Sequence, residues 1–101
     1  MDLAYFKESL CDELDGAEEY VMNALEIKPM SPSMAKTFLE MSATELTHAT
    51  NLYKMAEEYY SNLEKAYTNV PDHFKEIRNF IVEKYTKRYA EIKYMHELYN
   101  K

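Results

Sequence analysis

Three prolines, at positions 29, 32 and 71, and a single glycine, Gly16, are the only strong helix breakers in 101 residues. β-Hairpins and tight turns draw on Gly and Pro for their special backbone angles, so a chain this poor in both has few places to turn. Strand-like alternation is absent, and apolar residues recur instead at steps of three and four. The chain is therefore read as all-α and as a single domain spanning residues 1–101, with helix 1 at about 2–28, helix 2 at about 32–67 and helix 3 at about 72–99. Asp2 and Ser31 suit N-caps, Pro32 suits a first helical turn, and a residue preceding a proline such as Pro29 is pushed out of the α region. The short link between Lys28 and Ser33 makes helices 1 and 2 an antiparallel hairpin.

Asp and Glu outnumber Lys and Arg by 18 to 12, leaving a net charge of −6. Neutralising phosphates needs a basic face, so a nucleic-acid partner is not expected, and cations are the more natural ligands. The first eight residues carry charges where a leader needs an apolar run, and no stretch approaches the ~18 apolar residues of a membrane span. The expectation is a soluble cytoplasmic protein without a membrane partner. One cysteine, Cys11, excludes an intrachain disulfide or thiolate cluster and is read as a small packing residue.

Heptad spacing places Leu3, Phe6, Leu10, Glu13, Ala17, Tyr20, Ala24 and Ile27 along helix 1, and Phe38, Met41, Glu45, His48, Leu52, Met55 and Tyr59 along helix 2. These rows are expected to form the seam of the hairpin. Each contains ligand-type residues in an otherwise apolar series: Glu13 in the first, Glu45 and His48 in the second. A buried carboxylate without a partner costs several kcal/mol, so such a seam calls for a cation or hydrogen-bond partners. Positions 13 and 45 are equidistant from residue 29 in the link, which brings Glu13 and Glu45 to one height with His48 a turn away.

A dinuclear metal site in a four-helix bundle takes one Glu from each of two helices and Glu-x-x-His from each of the other two. The hairpin supplies half of that inventory. Helix 3 does not supply the rest, since Glu91 and His96 lie five residues apart, roughly 140° around a helix, and His73 precedes Glu76. Its apolar face, Phe74, Ile77, Ile81, Tyr85, Tyr89, Ile92, Met95 and Tyr99, suits the outside of a bundle or a partner subunit. Two copies of the hairpin would complete the set, so the expected partner is the chain itself, as a homodimer or a higher even oligomer.

Glu13, Tyr20 and Ala24, then Met34-Ala35, Phe38 and Glu45-Leu46-Thr47-His48-Ala49, resemble the first half of the rubrerythrin and ferritin-like di-iron pattern. In layout the closest resemblance is to encapsulated ferritins, which are two-helix half-bundles that pair into a four-helix bundle. The resemblance implies that Glu13 and His48 are terminal ligands, that Glu45 is a bridging ligand and that Tyr20 stands beside the site. It further implies iron as cofactor, two ions per dimer or manganese in its place, and oxidation of Fe(II) by oxygen or peroxide with Glu13, Glu45 and His48 as the catalytic set. Rubrerythrins add a rubredoxin-like site of four cysteines, which one cysteine cannot build, so a self-contained electron-transfer peroxidase is not expected. No encapsulin-docking tail is apparent after helix 3.

Other residues receive plainer readings. The seven methionines are expected to fill the core, and the ten tyrosines to pack at interfaces with their hydroxyls reaching solvent. His73 and His96 are read as surface or interface residues. The doublets Glu18-Glu19 and Glu57-Glu58 are read as solvated faces, the first of them also drawing cations toward the site. The function expected is that of a ferroxidase-type, iron-handling protein. The alternative is a metal-free helical assembly protein, part of a larger particle, whose polar layer only sets register.

Overall fold

The computed structural model describes residues 1–101 as three helices without strands: α1 (Leu3–Ile27), α2 (Pro32–Ala66) and α3 (Asp72–Tyr99). Asp2 caps α1 by accepting the Tyr5 backbone N–H, and Ser31 caps α2 by accepting that of Met34, with Pro32 in the first turn. α1 closes as the Ser31 N–H donates to the Ile27 carbonyl at 2.8 Å. α3 follows Pro71, whose carbonyl accepts the Phe74 N–H at 3.1 Å.

α1 and α2 form the antiparallel hairpin. α3 runs antiparallel to α2, bringing Arg78 to Glu57, Tyr85 to Thr50 and His96 to Ser42. It runs parallel to α1, bringing Lys7 over the Phe80 ring, Arg88 to Asp15 and Lys28 to the Tyr99 ring and carbonyl. The bundle is elongated, 58 × 20 × 15 Å. No helix is long and apolar enough to cross a membrane.

The buried seam is shifted by one residue along α2 and departs from the expected one on α1 at the positions of Glu13 and Tyr20. On α1 it is Leu3, Phe6, Leu10, Leu14, Ala17, Val21 and Ala24. On α2 it is Ala35, Ser42, Leu46, Ala49 and Ala56, with Leu39, Tyr53 and Tyr60 half-buried beside them. Glu13 and Tyr20 yield their seam positions to Leu14 and Val21. The physical cause is size. Helices approach most closely where side chains are smallest, and Ala35, Ser42, Ala49 and Ala56 repeat every seven residues along α2. The row of Phe38, Met41, Glu45, His48, Leu52, Met55 and Tyr59 is displaced to the flank, where it is half-buried or exposed.

α3 packs onto the hairpin of its own chain through the face expected for it, burying Ile81 and Ile92 fully. Tyr85 stacks on Tyr53 at 4.3 Å and hydrogen-bonds Thr50 at 2.8 Å. Two plainer readings are corrected by the packing. Glu18 and Glu57 are not merely solvated, because Arg88 and Arg78 of α3 pair with them at 2.7 and 3.1 Å. Six of the seven methionines are exposed rather than in the core, again because small residues occupy the seam.

Candidate metal centre

Glu13 projects from the middle of α1, and Glu45 and His48 project from one face of α2 a single turn apart. The hairpin register brings them together, with ligand atoms all within 4.8 Å of one another. His48 Nδ1 lies 3.5 Å from Glu13 Oε2 and 4.0 Å from Glu45 Oε1. The carboxylates are 27% and 29% exposed and the imidazole 49%, so the group occupies a recess on the flank of the hairpin rather than its core. α3 lies on the other side, against Ser42, Thr50 and Glu57.

The electrostatics of the cluster are those of an incomplete set. Glu13 Oε2 is buried and has no hydrogen-bond partner. An acceptor in that condition costs about 1–3 kcal/mol, more if charged, which a cation would relieve. The Glu45 carboxyl is held above its ordinary range, first by the hydrogen bond it shares with Glu13, then by burial and by the Glu13 charge, while His48 pulls it down. A cation between the two carboxylates would relieve the repulsion that raises Glu45. Two hard oxygen donors and one imidazole suit iron or manganese better than a thiolate-preferring metal.

The only glycine of the chain lies in the same recess. Gly16 sits in the interior of α1 one turn after Glu13, where glycine is about 1 kcal/mol less favourable than alanine. A Cβ built there would stand 3.0 Å from Glu45 Oε2.

Residues 5–101 match the family model for rubrerythrin. The chain belongs to the rubrerythrin family. No curated protein and no solved structure matches it. In this chain the three candidate ligands, Glu13, Glu45 and His48, stand together. Tyr20 stacks on Phe38 at 6.3 Å and lines, with Thr37, Glu40, Met41, Thr44 and Glu45, a shallow recess on the same flank. His73 stacks against Phe74 at 4.0 Å, away from the site on α3. His96 is an interface residue, its Nε2 lying 2.9 Å from the Ser42 hydroxyl.

Two features of this chain escape the heptad reading. Gly16 was detectable as a lone glycine three residues after a candidate ligand, in a helix that gains nothing from it. Ser42 is fully buried and donates to the Ala17 carbonyl at 2.6 Å, so it accepts from His96 Nε2. Its signal was the period-seven row of small residues, which reads as inert until the helix pair is assembled.

Proposed function

We propose that this chain binds iron at Glu13, Glu45 and His48 and oxidises Fe(II) with oxygen or peroxide, at a dinuclear centre completed by a second copy. The observation that carries the reading is the convergence of two carboxylates and an imidazole around a buried Glu13 oxygen without a donor. Membership in the rubrerythrin family supports it. Bound iron would supply the one-electron chemistry of the reaction.

The chain's own groups have separable roles. Glu13 and Glu45 provide negative charge from facing helices, and because a cation binds carboxylates in their deprotonated form, binding strengthens as pH rises. His48 offers a ring nitrogen at the solvent side of the recess. Tyr20, stacked on Phe38, lines the recess beside Glu45.

The second copy is favoured by the flank itself. One chain holds one Glu and one Glu-x-x-His, half of a dinuclear inventory. Met41 and Met55, on the same row as Glu45 and His48, are 38% and 45% exposed, as an uncovered apolar row would be. A two-fold pairing would cover that row and set a second Glu13, Glu45 and His48 against the first. The metal-free assembly reading has less support, because a layer that sets register belongs in the seam, and the buried polar residue there is Ser42.

Anaerobic Fe(II) loading and desalting, with iron content and solution mass measured in the same run, tests the proposal. About one iron per chain in an even-numbered oligomer is expected, with Fe(II) oxidation faster than in buffer alone. Absence of bound metal would overturn the reading, and metal retained without faster oxidation would reduce it to binding.

A further inference from the structure

Glycine in a helix interior calls for a reason, and two of the usual ones are missing at Gly16. Its backbone is right-handed, as no residue of the chain has a positive φ, so no special conformation demands it. Nor does a neighbouring backbone press against it: the three atoms nearest to a Cβ built there all belong to the Glu45 side chain. They are Oε2 at 3.0 Å, Cδ at 3.6 Å and Cγ at 3.7 Å. The space an alanine methyl would take is the space beside the carboxylate of a candidate ligand on the facing helix.

A 3.0 Å approach is tighter than ordinary van der Waals contact, so with any side chain at position 16 the Glu45 carboxylate must move by a few tenths of an ångström. The ligand atoms of Glu13, Glu45 and His48 all lie within 4.8 Å of one another, so moving the Glu45 carboxylate alters the whole set. Metal–ligand distances hold to within about 0.2 Å in a well-formed site. A displacement tolerable in a packed core is therefore large for a coordinating oxygen.

We propose that Gly16 is a positioning residue for the metal centre, its missing side chain giving the Glu45 carboxylate the berth from which it faces Glu13 and His48. The role rests on the metal-site reading above. α1 gives up helix stability at this position, and the compensation lies in the geometry of a group on α2. The relation is thus a trade between the stability of the metal-free chain and its affinity for metal, which one substitution can expose.

The test uses the full chain and Mn(II), a cation that binds such donor sets without being oxidised by the buffer. Gly16→Ala is expected to weaken Mn(II) binding, measured by calorimetry, about tenfold or more, the range typical of residues that orient a metal ligand. Gly16→Ser, bulkier and polar, should weaken it further.

A metal-independent measurement isolates the crowding. In chelator and at one protein concentration, Gly16→Ala in a Glu45→Ala background should raise Tm by about 4–8 °C through helix propensity alone. In the wild-type background the same substitution should raise it less, or lower it. Equal Mn(II) affinities for wild type and Gly16→Ala, or equal Tm shifts in both backgrounds, would overturn the role of Gly16 alone. A wild-type chain that binds no Mn(II) would overturn the metal-site reading and take the role of Gly16 toward a metal with it.

Discussion

The His48 imidazole on α2 reaches across to the Glu13 carboxylate on α1, with 3.5 Å between Nδ1 and Oε2, too far to satisfy that oxygen by a hydrogen bond. The two residues are near neighbours with a deficit between them. Replacing Glu13 with Gln removes a charge from a crowded pair and supplies an amide N–H to Glu45. The metal-free Glu13→Gln chain should therefore be more stable by about 1 kcal/mol, while Fe(II) or Mn(II) binding falls about tenfold or more. Thermal unfolding in chelator and metal titration check the two halves, and a less stable metal-free variant would count against the deficit.

His48→Ala and Glu45→Ala should each abolish stoichiometric metal binding and leave the helical circular dichroism intact, since both residues lie on the flank and not in the seam. Stoichiometric metal retained by both variants would sink the ligand assignment.

His96 gives the fold a pH dependence. Burial first, and then the charge of Lys93, lower its pKa from the ordinary 6.5, so the folded chain favours the neutral ring. Stability is full above 6.5 and declines as pH falls below that value and through the lowered one, because the unfolded chain takes up the proton first. Chemical unfolding midpoints across this window should fall for the wild type, and His96→Gln, which keeps a donor for Ser42, should flatten the decline.

The two arginines of α3 should differ in worth. Arg88 is 17% exposed and bonds both Asp15 and Glu18, whereas Arg78, 39% exposed, pairs with Glu57 alone and lies over the Tyr60 ring. Arg88→Ala should cost about 1–2 kcal/mol, discounted for the exposure of its partners, and Arg78→Ala about 0.5. Urea midpoints at low and high salt would show both, and equal costs would contradict the ranking.

If the flank pairs with a second copy, Met55→Glu should lower the solution mass to that of one chain. Met30→Glu, in the link and 84% exposed, should leave the mass unchanged. Light scattering on a sizing column distinguishes these outcomes, and an unchanged mass for Met55→Glu would place any self-association elsewhere.

The helices were legible because their punctuation is local: Asp2 and Ser31 cap through bonds to residues three positions away, and Pro29 and Pro71 interrupt the chain where they stand. The level of Glu13 and Glu45 was legible too, since the link fixes register and register fixes height. The rotation of the helices about their axes was not. Two adjacent rows on α2 satisfy the same three-and-four spacing, and reading by hydrophobic bulk selects Phe38, Met41 and Leu52 over Ala35, Ser42 and Ala49. Closeness of approach, a property of the assembled pair, selects the smaller row. The candidate ligands were found together although their surroundings were misjudged, because a one-residue rotation of α2, with Leu14 and Val21 taking the places of Glu13 and Tyr20 on α1, moves the whole cluster to the flank without separating its members. The pairing of Arg88 with α1 was beyond reach of the pattern, as it depends on how a third helix docks.

Ala35, Ser42, Ala49 and Ala56 make a row of small buried residues on α2, and at Ser42 the row meets the α1 backbone, the hydroxyl 2.6 Å from the Ala17 carbonyl, a fixed gauge between the two helices that carry the candidate ligands. Near-backbone contact leaves almost no slack for shear or spreading, whereas Leu or Met in those places would give the joint some play. The framework of the recess is accordingly stiff, and if it holds an ion, adjustment to a different radius or charge would fall to the carboxylate torsions of Glu13 and Glu45. A cage of this kind changes its grip without changing its frame.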